Sequence, residues 1–282
     1  MATISANDVK TLREKTGAGM MDCKNALVEV NGDFAQAEKL LKEKGLAAVE
    51  KRADRATNEG RVFIKVKDNT AVLVELATET DFVARNPEFI ALGGDIADKI
   101  LAQGITEITD ALAASVTDLA TKIRENMSLK RIKIVKAAAN EYLSEYIHDD
   151  KIGVLVKISA DKPEIFAQAA FQEFAHSLAL HVAWNNPMVM DKTKLDAAFI
   201  AEQETLFRKQ MDGDESLQGK PAAALDNILK GKLAKYLKGL CFLDQGFIKE
   251  EKITVAQALA DCGKQLGAAL VISDYVYFKV GQ

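Results

Sequence analysis

The chain has 282 residues, of which 48% are hydrophobic and 28% are charged, and its formal net charge is −4. This length allows one large domain or two to three smaller ones, each with its own core. The mild acidity argues against a dedicated nucleic-acid-binding protein, which usually carries a basic excess to neutralise phosphates.

Localisation follows from what the sequence lacks. The start, Met1–Ser5, has no basic segment followed by an apolar stretch, and no apolar run reaches the ~20 residues that span a bilayer. The three cysteines, Cys23, Cys241 and Cys262, are scattered and form no CxxC pair, which is typical of reduced, structural thiols. We expect a cytoplasmic protein that binds no membrane.

The first 45 residues predict three short helices. Ser5 is the expected N-cap of the first, which ends at the glycines of Gly17–Gly19. The second runs from about Met20 to Val30 and ends at Asn31-Gly32. Asp33 is expected to cap the third helix, and Gly45 is expected to end it. Such a unit is compact but marginal in size.

The region after the three helices changes from a helical period to a period of two. Leu46–Asn58 is charged and is expected to be a solvated connector. Val62–Val66 and Ala71–Leu76 then flank Asp68-Asn69 and predict a β-hairpin. Further predicted elements are helices at about Asn86–Gln103 and Leu112–Glu125 and a strand at about Lys130–Ala138.

The second half of the chain repeats this pattern. Ile152–Ile158 resembles Ala71–Leu76, and a polar loop and a long helix follow both. The apolar stretch Ala269–Phe278 could close a second sheet. We therefore predict two related α+β halves.

An insertion at about 192–239 interrupts the second half. Leu195, Phe199, Leu206 and Phe207 are expected on one helix, and a second helix carries a further apolar set: Leu225, Ile228, Leu229, Leu233 and Leu237. Polar turns separate the two, which predicts a helical hairpin that projects as an antiparallel coiled coil. The predicted domains are 1–55 (three helices and connector), 56–140 (first core half) and 141–282 (second core half with the insertion).

Motifs for catalysis or nucleotide binding are mostly missing from the sequence. Gly219-Lys220 is followed by Pro221, which excludes a P-loop, and no strand precedes Gly17-Ala18-Gly19, which makes it a poor dinucleotide fingerprint. The three histidines are too few for a metal site, and His176 and His181 lie on different faces of a helix. We expect these two to be interface or core residues, and we expect no enzyme, no cofactor and no bound metal.

The segment Thr78–Arg85, directly after a predicted strand, allows two interpretations. In the first, Thr80 caps a helix, Asp81 lies at its positive end and Phe82 packs inward. In the second, Asp81 and Phe82 form an exposed pair, a carboxylate and an aromatic wedge, that enters a pocket of another protein. Local physical chemistry leaves both open.

Two long segments resemble known signatures. Leu12–Leu27 is similar to the signature near the start of the elongation factor Ts family, and Glu75–Arg85 is similar to that family's second signature. Weaker matches follow in the same order at Arg124–Met127, Tyr146–His148, Ile152–Val156, His181–Ala183 and Leu243–Gln245. Asp149-Asp150 departs from the pattern, because glycines are usual there.

The resemblance implies an architecture. It is of α+β class: an N-terminal three-helix module like ubiquitin-associated domains, a core of two similar α+β halves, and a coiled-coil hairpin.

It also implies a guanine-nucleotide exchange factor that binds elongation factor Tu-GDP and promotes GDP release by disturbing the Mg²⁺ and phosphate site. The segment that disturbs this site would be Thr80, Asp81, Phe82 and Val83. Candidate docking residues are Arg13, Met20, Met21 and His181. The competing hypothesis is a scaffold that uses the ubiquitin-associated-like helices without exchange activity.

Overall fold

A computed structural model describes residues 4–282, which form a mixed α+β protein. The helices are α1 (Ala6–Thr16), α2 (Met20–Glu29), α3 (Phe34–Glu50), α4 (Asp81–Ala84), α5 (Pro87–Gln103), α6 (Asp110–Ile123), α7 (Ala169–Asn185), α8 (Ala197–Asp212), α9 (Ala222–Leu240) and α10 (Val255–Leu266). The strands are β1 (Glu59–Lys67), β2 (Thr70–Thr78), β3 (Met127–Lys136), β4 (Glu141–His148), β5 (Ile152–Ala160), β6 (Gly246–Phe247), β7 (Glu250–Thr254) and β8 (Leu270–Lys279). Met1–Thr3, on which the expectation of a cytoplasmic protein partly rests, lie outside the described residues.

The chain divides into two compact units. The first runs up to Lys136 and also includes Ile147–Gly153 and Phe278–Gln282. The second consists of Ala137–Tyr146 and Val154–Tyr277. Each unit therefore contains residues that are distant in sequence. The domain boundaries given above stay a prediction.

The three N-terminal helices begin and end at capping residues. Ser5 and Asp8 form a capping box at the start of α1, and Gly17 ends it in a left-handed conformation with φ of 68°. Asp33 caps α3 by accepting a hydrogen bond from the Gln36 backbone. Their shared core consists of Val9, Leu12, Cys23, Ala26, Leu27, Ala37 and Leu41. The prediction of three helices is confirmed.

The predicted end of the third helix at Gly45 is wrong, because α3 continues to Glu50. Gly45 instead lies where α3 approaches α6, and a Cβ atom on Gly45 would overlap the methyl group of Thr121. The residue is needed for a close approach of two helices rather than for a helix end.

We expect Gly45→Ala to destabilise this helix contact although alanine is the better helix former. Overpacking typically costs ~1–3 kcal/mol, and the gain in helix propensity is only about 1 kcal/mol. Thr121→Ser removes the obstructing methyl group but keeps the hydroxyl, so the double variant should regain stability. Unfolding curves of the two single variants and the double variant measure the free energy of unfolding. A double variant whose loss of stability equals the sum of the two single losses would contradict this prediction.

The first sheet is antiparallel with the order β1-β2-β3. Central strand β2 is buried throughout Ala71–Thr78, because it has a neighbour on each edge. The hairpin prediction is confirmed, and Asp68 in its turn has a positive φ of 53°. The apolar core between this sheet and α4–α6 includes Val72, Val74, Leu76, Phe89, Ile96, Ile100, Leu112, Val116 and Met127.

An ion pair with a buried carboxylate crosses this sheet. Glu75 in β2 is only 1% exposed, and its Oε2 lies 2.5 Å from Arg131 Nε in β3. The Arg131 guanidinium lies 4.2 Å from the centroid of the Phe278 ring. Gly281 N donates to Glu75 Oε1 at 3.2 Å. The carboxylate is therefore compensated by an ion pair and by a backbone N–H group.

The second sheet has the order β4-β5-β8, so the apolar tail joins this sheet as predicted, and it forms an edge strand. Strand β4 was not predicted. Its apolar residues occupy both faces, Tyr142 and Tyr146 on one and Leu143 and Ile147 on the other, so no alternation marks it as a strand. Tyr142 packs on the rings of Phe166 and Phe171 at centroid distances of 5.7 and 5.1 Å.

The turn between β4 and β5 is formed by two aspartates in the left-handed region. Asp149 and Asp150 have φ of 47° and 57°, and Lys151 N donates to His148 O at 3.0 Å. Positive φ at both central residues is typical of a type I′ turn. Glycine or asparagine adopts this left-handed backbone at a lower conformational cost than aspartate. Asp150 is held there, because its carbonyl accepts from Val62 N at 2.7 Å.

The predicted insertion forms two helices, α8 and α9, that pack on each other. Their contact includes Met211 and Leu229, which are buried, and a Phe207–Tyr236 ring pair at 5.5 Å. The placement of Leu195 on the first helix is wrong. Asp196 is the N-cap of α8, so Leu195 lies before the helix.

Candidate functional site

The segment after β2 is a single helical turn that exposes an aromatic ring. Thr80 is the N-cap of α4, and its Oγ1 accepts from Val83 N at 3.4 Å. Val83 is buried, whereas Phe82 is 80% exposed. Because successive residues of a helix point about 100° apart, burial of Val83 turns Phe82 outward. The cap prediction is confirmed, and the interpretation in which Phe82 packs inward is wrong. We call Thr80–Val83 the wedge turn.

The acidic group of the wedge turn has a local partner. The Asp81 carboxylate forms an ion pair with Arg85, one helical turn further on, and both side chains are solvent-accessible. Arg85 Nε also donates to Asp81 O at 3.3 Å. An exposed pair of this kind is weak, so Asp81 can exchange Arg85 for another positive group.

The base of the wedge turn is fixed by Glu125, in the middle of the loop between α6 and β3. Thr80 Oγ1 donates to Glu125 Oε1 at 2.7 Å, and Thr80 N donates to Oε2 at 3.1 Å. Thr78 Oγ1 donates to Oε2 at 2.9 Å. Glu125 was missed as a site residue, although the segment Arg124–Met127 was one of the weaker family matches.

The residues next to Glu125 bind the connector that follows α3. Asn126 Nδ2 donates to Ala53 O at 3.0 Å and to Arg55 O at 2.7 Å. Asn126 N donates to Glu79 Oε1 at 2.6 Å. Asn126 therefore links the connector to Glu79, the residue that precedes Thr80.

The predicted docking residues of the N-terminal helices are exposed. Met20 and Met21 open α2 and are 53% and 63% exposed, and Arg13 on α1 also faces solvent. Methionine side chains are flexible and polarisable, which suits an adaptable contact surface. The structure therefore leaves Arg13, Met20 and Met21 available to a partner.

His181 is not available, and its prediction as a direct docking contact needs correction. The side chain is 0% exposed on α7, and its ring stacks on Phe242 at 5.5 Å. Ile248 N donates to Nδ1 at 3.2 Å, and Nε2 lies 2.9 Å from Gln245 Oε1. His181 is therefore a neutral core histidine that fixes the segment after α9, as in the core alternative given above. His176 on the same helix is exposed.

We expect His181 to make the protein less stable in mild acid. Burial lowers the pKa of the His181 imidazole below its ordinary value, although the Gln245 hydrogen bond opposes this. The unfolded chain then binds a proton at a higher pH than the folded chain, so stability is lost as the pH falls below about 6.5. Urea unfolding at pH 7.5 and 5.5 should show a smaller pH effect in His181→Gln. His148→Gln, which removes an exposed histidine, should keep the wild-type effect.

Within residues 4–282, no group of three or more His, Cys, Asp or Glu side chains is arranged to hold a metal ion. Among the helices of the same residues, none combines the length and the apolar character of a membrane span.

Comparison with known proteins identifies the family. The profile of the family Elongation factor TS matches residues 79–282. Elongation factor Ts of Treponema denticola is 50% identical over 279 residues, covering 99% of this chain and 98% of the relative. Elongation factor Ts of Treponema pallidum is 43% identical over 290 residues (99% of each chain), and that of Borreliella burgdorferi is 38% identical over 283 residues (100% of each chain). The chain is a member of the elongation factor Ts family.

Proposed function

We propose that this chain is a guanine-nucleotide exchange factor that binds elongation factor Tu-GDP and promotes GDP release during translation elongation. The observation that supports it most directly is the 80% exposure of Phe82 on a turn whose base is fixed by three hydrogen bonds to Glu125. Family membership supplies the partner, and this exposed ring supplies the means of acting on it.

An exposed ring on a rigid base is suited to entering a pocket. Burying a Phe side chain contributes roughly 1.5–3 kcal/mol relative to leaving it exposed. Because the Thr80 cap and Glu125 already order the turn, little conformational entropy is lost on binding. Phe82 can therefore offset the distortion it imposes on the partner with its own burial.

Exchange then follows from coupled binding. A factor that binds the empty GTPase more tightly than the GDP-loaded GTPase lowers GDP affinity by the same factor. In this proposal Thr80, Asp81, Phe82 and Val83 disturb the partner's Mg²⁺ site. Mg²⁺ is the largest local positive charge beside the β-phosphate, and its displacement weakens GDP binding. Asp81 contributes either through its negative field or by rearranging the metal shell.

The remaining parts of the proposal concern docking. The three N-terminal helices act as a ubiquitin-associated-like module that docks on the GTPase through Met20 and Met21, with Arg13 at the edge of the contact. The second unit grips another part of the partner, and His181 supports that surface from the core. Helices α8 and α9 form an antiparallel coiled coil. The protein works in the cytoplasm without a cofactor, and it catalyses no covalent reaction.

The test is release of fluorescent GDP from elongation factor Tu, followed by stopped flow. We expect the chain to accelerate release, with an effect that shrinks as Mg²⁺ is raised. Calorimetry of the chain alone with GDP or GTP should show no heat of binding. A chain that binds elongation factor Tu without accelerating release would instead be the scaffold of the competing hypothesis.

A further inference from the structure

The short turn between α6 and β3, Arg124–Asn126, holds three separate segments of the first unit. Arg124 forms an ion pair with Asp22 of α2. Glu125 binds the base of the wedge turn, and Asn126 binds the connector after α3. We call these three residues the clasp.

We propose that Glu125 is a positioning residue for nucleotide exchange, and that the clasp fixes the wedge turn relative to α2, which carries Met20 and Met21. This inference rests on the proposed function and deepens it. It assigns to Glu125 a role that acts through Thr80 and Phe82 rather than by contact with the partner.

The chemistry of Glu125 fits this role. An ionised carboxylate only accepts hydrogen bonds, and here two hydroxyl groups and one backbone N–H group converge on its two oxygens. Hydrogen bonds to a charged acceptor are stronger than those between neutral groups. A glutamine would place an NH₂ group against one of these donors, so Glu125→Gln removes acceptors while keeping size and shape.

The backbone conformation of the clasp also places its groups. Arg124 has φ of 69°, a left-handed conformation that glycine adopts at lower cost. From this position the Arg124 side chain reaches Asp22. The backbone carbonyl of Arg124 accepts a hydrogen bond from Arg52 Nη1 at 2.6 Å, beside the end of α3. The same turn therefore contacts α2, the end of α3 and the wedge turn.

A loosened clasp should separate docking from release. The methionines of α2 would bind the partner as before, but the Phe82 ring would sample orientations that do not enter the pocket. Misplacement of a positioned group lowers the rate of the step it serves. The expected signature is a lower kcat for GDP release with an unchanged KM.

The experiment compares Glu125→Gln with Glu107→Gln, which removes the same charge from an exposed position in the first unit. For Glu125→Gln we expect kcat for GDP release to fall about tenfold, the order expected for losing a hydrogen bond to a charged group, with KM within about twofold. Glu107→Gln should match the wild type. Thr80→Val removes one of the three donors to Glu125 and should behave like Glu125→Gln.

A fluorescent reporter measures the position of the wedge turn without the partner. The chain has one tryptophan, so Trp184→Phe with Phe82→Trp places the only indole in the wedge turn. Glu125→Gln in this background should lower the fluorescence anisotropy. Unchanged kcat and anisotropy in a folded Glu125→Gln protein, or a loss of stability alone, would overturn the clasp. If the wild type accelerates no release, the proposed function fails, and the anisotropy still tests the clasp.

Discussion

Phe82→Ala is expected to slow stimulated GDP release by about 30-fold or more while leaving the fold intact. Buried aromatic anchors at interfaces typically contribute about 2 kcal/mol or more, which corresponds to about 30-fold in rate. Because Phe82 is 80% exposed, its removal leaves no cavity, and the free energy of unfolding should change by less than ~0.5 kcal/mol. Stopped-flow release and urea unfolding measure the two quantities.

Two matched variants serve as controls for Phe82→Ala. Phe89→Ala removes a ring of the same kind that is fully buried seven positions away, and it should cost ~3–5 kcal/mol of stability. Ile108→Ala removes an exposed apolar side chain outside the wedge turn and should change neither quantity. Strong destabilisation of Phe82→Ala with normal release per folded molecule would place the site elsewhere.

The second large effect is expected for Arg131→Met, which should cost ~3–5 kcal/mol of stability. The variant leaves the Glu75 carboxylate buried without its ion-pair partner, and uncompensated buried charges are costly. The methionine fills much of the volume of the arginine stem. The loss of stability therefore comes from the unpaired charge of Glu75 rather than from a cavity. Thermal and urea unfolding measure it.

The double variant Glu75→Met/Arg131→Met separates the charge from the packing. Replacing both members of a buried ion pair by apolar residues is often neutral, so the double variant should be more stable than Arg131→Met alone. A double variant that loses the sum of the two single effects would mean that the pair contributes as two independent side chains.

Local patterns predicted most of the fold. The Ser5, Asp33 and Thr80 caps and the Asp68-Asn69 turn are short-range features, because each depends on hydrogen bonds within a few residues. Features that depend on distant neighbours were predicted poorly. Gly45 resembled a helix end, but its role depends on Thr121, which lies 76 positions later.

At the candidate site, too, short-range features were predicted and features that depend on distant residues were not. The sequence placed Asp81 and Phe82 beside each other after a strand, but the direction of Phe82 depends on which neighbour enters the core, here Val83. His181 matched a family segment, yet its contacts with Gln245 and Ile248 arise only in the folded chain. Glu125 is more than 40 positions from Thr80, so no spacing rule could pair them.

The return of Phe278–Gln282 to the first unit sets an order in time for synthesis. Glu75 leaves the ribosome long before Gly281, its backbone partner 206 positions later. At translation rates of about 5–20 residues per second, the first unit, once synthesised to Lys136, waits roughly 7–30 s for Phe278–Gln282. Throughout that interval β2 and β3 can pair, but the Glu75 carboxylate lacks one of its donors and Arg131 lacks the Phe278 ring. The first unit can thus be completed only after Val154–Tyr277 of the second unit have been synthesised, and a chain interrupted before Phe278 would be left with an incomplete charged cluster that cellular proteases can reach.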